Sequence, residues 1–158
     1  MTDWTGTRIA KNIWVGPVPT RYMQEFGALA FCARELQPEN EAAARRFTKH
    51  SLLCPLDDDW REGISLHEVL SVHATARRLC DLSKRYPVAA TCHMGINRSA
   101  LVAATALHLR LDISGSEALA LMRQRRPGTI TNTAFESFLL DLQRPSEARP
   151  EKRVMRAR

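Results

Sequence analysis

Apolar and polar positions divide the chain into short extended runs in its first half and longer helical runs in its second. Residues 8–16 alternate enough to predict two short strands around Lys11 and Asn12, and Pro17 and Pro19 end the pattern. Residues 22–27 read as a short helix or turn. Ala28–Ala33 is an unbroken apolar run, consistent with a buried strand. Residues 39–49 are polar and alanine-rich, a surface helix or loop. His50–Leu56 reads as a strand ended near Pro55. From Ile64 onward, Leu66, Val69, Leu70, His73, Ala76, Leu79 and Cys80 recur at helical spacing and predict one face toward a core. This helix starts near Ile64 or Ser65, and a strand follows from Pro87. Residues 100–111 are nearly all apolar and predict a buried central helix. Ser114 or Ser116 caps the next helix, which carries Glu117 in its first turn and runs to Arg126. Pro127 and Gly128 make a turn. A last helix spans 132–142, with Phe135, Phe138, Leu139 and Leu142 facing inward. There is no internal repeat.

Composition sets broad limits. A chain of 158 residues, 44% hydrophobic and 25% charged, is expected to form one domain, here residues 1–143. No apolar run approaches the ~20 residues of a membrane span. The start, Met1-Thr2-Asp3-Trp4, lacks a secretory signal pattern, so a cytoplasmic protein is expected. Cys32, Cys54, Cys80 and Cys92 form no close-spaced metal or disulfide framework, and no cofactor is expected. His67 and His73 do not share the spacing of a helical metal pair, and His108 reads as a helix-face residue without a chemical role. The net charge of +6 is concentrated from Arg144 onward, where five arginines and one lysine oppose Glu147 and Glu151. That segment, 144–158, is expected to be a disordered tail, with an anionic partner as the alternative. Arg123, Arg125 and Arg126 are read as solvated, or as extending a positive field.

The chemistry lies in Thr91-Cys92-His93-Met94-Gly95-Ile96-Asn97-Arg98-Ser99, between the strand and the apolar helix. Such a loop can curl so that the N–H groups of His93, Met94, Gly95, Ile96, Asn97 and Arg98 point inward. That nest binds a tetrahedral oxyanion, and the following helix N-terminus favours negative charge. Gly95 supplies the backbone freedom the curl requires. Arg98 offers a planar fork for two phosphate oxygens. Cys92 lies in the same positive field, which favours the thiolate, a nucleophile aimed at phosphorus.

The segment Cys92-His93-Met94-Gly95-Ile96-Asn97-Arg98-Ser99 resembles the signature of the cysteine-dependent protein tyrosine phosphatase superfamily, and the chain is most similar to the dual-specificity branch. The resemblance covers roughly residues 8–143. It implies an α/β fold, a central, mostly parallel sheet flanked by helices in three layers. It also implies metal-free hydrolysis of phosphate esters through a phosphocysteine. Cys92 would be the nucleophile and Arg98 the phosphate ligand, while Ser99 would stabilise the departing thiolate. Asn97 would hold the loop's shape. In this family an Asp follows a strand in a Pro-x-x-Asp setting, and Pro55-Leu56-Asp57-Asp58 fits, making Asp58 the candidate general acid with Asp57 and Asp59 as rivals. Trp60 would pack near that loop or cover it. Asn132 and Phe135 match a further family pattern. One departure is Thr91, where the family usually has a histidine that orders the loop.

The resemblance leaves the substrate open. Little room exists between Val15 and His50 for the segment that deepens the pocket of tyrosine-specific members, so phosphotyrosine and phosphoserine or phosphothreonine in proteins are expected. Phosphoinositides and RNA 5′-phosphates are alternatives within the same chemistry; His93 is the one polar wall residue for a lipid headgroup. A phosphate-binding module without turnover is the alternative from another class, and a sulfurtransferase or arsenate reductase a third. The run Phe31-Cys32-Ala33-Arg34-Glu35 resembles the tensin-homologue lipid phosphatases, which makes Cys32 a candidate redox partner of Cys92.

Overall fold

Asn12 turns the chain between its first two strands. Its φ is +64°, a left-handed conformation that asparagine tolerates, and its Nδ2 donates to the Ser83 carbonyl at 2.9 Å. The turn joins β1 (Thr7–Ala10) to β2 (Ile13–Gly16) as an antiparallel pair. These contacts belong to a computed structural model that describes residues 4–19, 23–39 and 41–148. Three further strands, β3 (Ala28–Ala33), β4 (His50–Leu56) and β5 (Val88–Thr91), complete one sheet in the order β1-β2-β5-β3-β4. Every pairing except β1 with β2 is parallel. Pro55 lies inside β4 rather than ending it, which the outermost position of this strand permits, because an edge strand need not donate every N–H.

Among the described residues six α-helices follow or interleave, α1 (Glu41–Arg45), α2 (Leu66–Ser83), α3 (Arg98–Leu111), α4 (Gly115–Arg125), α5 (Thr133–Leu140) and α6 (Pro145–Ala148), with a short 3-10 turn at Arg34–Leu36. Strand alternation gives the sheet two apolar faces. Ile13, Val15, Ala28, Ala30, Cys32, Val88 and Ala90 belong to the main core with α2, α3, α4 and α5. Leu29, Phe31 and Ala89 face the other way, under Met23, Phe26, Trp4, Trp14 and Phe47. Small residues in β5 and along α3, where Ala100, Ala103, Ala104 and Ala106 are all buried, let the helix pack closely on the sheet centre. The fold is therefore α/β, with a mostly parallel sheet flanked by helices.

Several expected boundaries and faces need correction. The buried face of α2 is Glu68, Val72, Thr75, Ala76, Leu79, Cys80 and Ser83, whereas Leu66 and Leu70 point outward at 74% and 60% exposure. Glu68 tolerates burial because it completes a capping box with Ser65 and accepts the Asp57 N–H. Ser114, not Ser116, caps α4, again through a capping box with Glu117. His73 is half-buried against the Phe138 ring, with centroids 5.3 Å apart, and burial holds its imidazole below the usual range. The tail expected to start at Arg144 begins with structure: Arg144 pairs with Glu117 at 2.6 Å, and Ser146 donates its N–H to Asp112. Residues 149–158 lie outside the described residues, as does Tyr22; the chain from Met23 to Gly27 is a turn. No helix among the described residues is long and apolar enough to cross a membrane.

Candidate active site

β5 delivers Cys92 to the C-terminal edge of the sheet, at its centre, and α3 starts six residues later. The thiol is nearly buried, 4% exposed. Its Sγ accepts the Gly95 N–H at 3.2 Å and lies 3.1 Å from Ser99 Oγ, so two polar partners converge on the sulfur. The fold thus brings Cys92 and Ser99 together.

The loop carbonyls show how the cradle is shaped. Arg126 donates from Nε to Gly95 O at 2.9 Å and from Nη2 to Met94 O at 3.4 Å. Ile130 N–H donates to Ile96 O at 2.9 Å. Three successive carbonyls are drawn outward. In a trans peptide the N–H points opposite to the C=O, so the amides of Gly95, Ile96 and Asn97 turn inward. Ile130 reaches its carbonyl from φ +57°, unusual for a β-branched residue. Gly95 adopts φ +70°, and a Cβ there would meet the Gly16 carbonyl carbon at 2.4 Å. Only glycine fits. Asn97 is the N-cap of α3, yet its side chain does not cap the helix. The first amides of α3 are left to face an anion.

Arg98 opens α3 and is 8% exposed. Its Nη1 donates to Glu35 Oε2 at 2.5 Å and to Leu56 O at 3.4 Å. Burial works against the guanidinium charge, but the Glu35 bond outweighs it and holds Arg98 above its ordinary range. The same bond holds the Glu35 carboxyl below its usual range. Arg98 Nε is buried with no hydrogen-bond partner among the described residues, an edge suited to an oxyanion.

Asp58 is brought to this loop. Asn97 Nδ2 donates to its Oδ2 at 3.1 Å, and Asn132 Nδ2 donates to its Oδ1 at 2.9 Å. The rival acids point elsewhere: Asp57 pairs with Arg34 at 2.8 Å, and Asp59 accepts the Arg61 N–H. Trp60 does not pack, being 61% exposed beneath the Arg61 guanidinium. His93 and Met94 are exposed at the mouth. Thr91 is buried in the sheet and donates to Ala30 O at 3.0 Å, so it ties β5 to β3. Cys32 and Cys92 line one small cavity with Phe31 and Thr91. His67 is exposed, and His108 is buried with Nδ1 2.6 Å from Ile113 O.

Three contributors were missed in the sequence. Glu35 anchors Arg98, Arg126 shapes the loop from behind, and Asn132 holds Asp58. Arg123 is exposed and also binds Thr129 O, Ile130 O and Glu136. The sequence offered Arg126 only as one of three arginines that were solvated or extended a positive field, with no sign that it binds the loop carbonyls.

No protein-family model matches the chain, and no curated protein matches its sequence. Solved structures do. The active form of Tk-PTP is 19% identical, with a TM-score of 0.68 over 85% of this chain and 93% of that one. A mouse putative dual specificity phosphatase complexed with zinc tungstate is 17% identical, with a TM-score of 0.67 over 87% and 86%. OH1 from the Orf virus, a tyrosine phosphatase with triple substrate specificity, is 15% identical, with a TM-score of 0.60 over 85% and 84%. This chain has the fold of the dual-specificity and protein tyrosine phosphatases.

Proposed function

We propose that this protein is a metal-independent phosphatase that hydrolyses phosphomonoesters, phosphotyrosine and phosphoserine or phosphothreonine in proteins, through a phosphocysteine at Cys92. The observation that carries the reading is the convergence on Cys92 Sγ of an inward amide from Gly95 and the Ser99 hydroxyl, with Arg98 opening the helix beside it. In the first step Cys92 Sγ attacks phosphorus, the S–P bond forms and the P–O bond to the leaving group breaks. The loop amides and the Nε edge of Arg98 hold the three equatorial oxygens. Asp58, protonated, gives its proton to the leaving oxygen. In the second step Asp58, now a carboxylate, takes a proton from water as that water attacks phosphorus. The S–P bond breaks, phosphate leaves, and Ser99 Oγ stabilises the thiolate.

Exposed His93 and Met94 make a low rim, which fits both aryl and alkyl phosphates. The mouse neighbour's tungstate complex lends support, because tungstate is a tetrahedral oxyanion. The test is hydrolysis of 4-nitrophenyl phosphate in excess chelator by wild type and Cys92→Ser. Turnover that disappears with the substitution supports the reading. Turnover that survives it, or that chelator abolishes, overturns it.

A further inference from the structure

Asn132 has no place in the cradle, yet its amide reaches the proposed acid. Its Oδ1 caps α5, accepting the N–H groups of Ala134 at 3.0 Å and Phe135 at 3.3 Å. That fixes the amide: only the NH₂ group is left for Asp58 Oδ1, at 2.9 Å. Asn97 is oriented in the same way. Its Oδ1 accepts the N–H groups of Thr131 at 2.8 Å and Asn132 at 3.1 Å, so its NH₂ group meets Asp58 Oδ2 at 3.1 Å. Neither amide can be flipped without turning NH₂ onto backbone donors. Both oxygens of an exposed loop carboxylate are therefore held by donors of fixed sense, one from the cradle and one from the cap of α5.

We propose that Asn132 is a positioning residue that, with Asn97, clamps Asp58 over the cradle in a loop already closed before substrate arrives. The inference rests on the phosphatase reading and deepens it. Asp58 lies between β4 and α2 with no regular structure of its own, and a loop carboxylate is normally ordered only when the loop closes on its substrate. Here two neutral amides supply the order. Both side-chain amides are engaged by backbone N–H groups on one side and by Asp58 on the other, so their effect on the reaction must pass through Asp58. Only leaving groups that need a proton should register the loss of the clamp.

Asn132→Ser tests this, because serine retains the cap and lacks the reach to Asp58. Asn132→Asp is the second variant; it keeps the cap and sets a carboxylate against Asp58. With Asn132→Ser, turnover of phenyl phosphate should fall on the order of tenfold or more, while 2,4-dinitrophenyl phosphate stays within about threefold. Vanadate inhibition and thermal midpoint should stay close to wild type, and Asn132→Asp should lose more on phenyl phosphate. In an Asp58→Asn background Asn132→Ser should add nothing. Equal losses on both esters, or a loss that persists without Asp58, would overturn the proposal. Wild type that turns over neither ester counts against the phosphatase reading alone. The clamp is then judged by the side-chain amide NMR signals of Asn97 and Asn132: both should shift in Asp58→Asn, and unmoved signals overturn it.

Discussion

Arg126 donates from Nε to the Gly95 carbonyl at 2.9 Å, and from Nη1 to Thr7 Oγ1 at 2.8 Å. One guanidinium thus ties the back of the cradle to the start of β1, while its Nη2 reaches Met94 O. Its removal takes away the bonds that draw those two carbonyls outward. Arg126→Ala should weaken vanadate binding by roughly tenfold to a hundredfold, the scale of losing charge-assisted hydrogen bonds at about 1.5–3 kcal/mol. Arg126→Lys should recover little, because an ammonium cannot span two carbonyls and a hydroxyl at these angles. Inhibition constants for vanadate check both.

Gly95→Ala should destroy the cradle and spare the rest of the fold. The added Cβ would meet backbone atoms of Gly16 and Pro17 at 2.4–2.7 Å, and backbone cannot swing aside. The φ of +70° adds strain of about 1–3 kcal/mol. The expected result is loss of turnover and of vanadate binding, with circular dichroism unchanged. Gly16→Ala should be milder in the loop, because its Cβ would first meet the Trp4 ring.

Glu35 should leave a mark on acid stability. Its hydrogen bond to Arg98 holds the carboxyl below the usual carboxylate range. A depressed folded-state pKa contributes stability that is present above the unfolded value, about 4.3, and is lost as pH falls through the folded value. Thermal midpoints of wild type and Glu35→Gln should therefore differ at neutral pH and converge in acid. The difference should be small, since the Glu35 side chain is 52% exposed.

Cys32 is the proposed redox partner of Cys92. Phe31 pairs with Thr91 in the parallel ladder, and Cys32, next along β3, lines one small cavity with Cys92, the first residue beyond β5. Peroxide would oxidise the Cys92 thiolate to the sulfenic acid. Attack by the Cys32 thiol would then form the disulfide and release water. Burial pushes the Cys32 thiol well up, which disfavours its thiolate. Inactivation should be reversed by dithiothreitol in wild type and should become irreversible in Cys32→Ser. Peptide mapping that finds only free or over-oxidised Cys92 would sink the idea.

The cradle was legible because it is local: cysteine, glycine and arginine lie within seven residues, between a strand and a helix that patterning alone predicts. Its supports were not, because they are made by folding. Glu35 meets Arg98 across 63 positions, and Asn132 meets Asp58 across 74. The face of α2 was misread for another reason. Hydrophobic spacing counted Leu66 and Leu70 as core, whereas Glu68 and Ser83 are buried with their hydrogen bonds met at short range. A pattern of apolarity does not register polar groups that satisfy themselves. Asp58 was placed by resemblance, and the partners of the three acids separate it from Asp57 and Asp59: two side-chain amides for Asp58, Arg34 for Asp57 and the Arg61 N–H for Asp59.

The sheet order has a consequence for how this chain is made. β5 is the last strand in sequence and the middle one in space, flanked by β2 and β3. Until it is synthesised the first four strands can pair only as two separate ribbons, β1 with β2 and β3 with β4. The strand that closes the gap is the one that ends in Cys92. A chain that has not yet made β5 cannot hold that thiol in its nest. Joining the ribbons needs contacts distant in sequence, which makes this the slow step of folding.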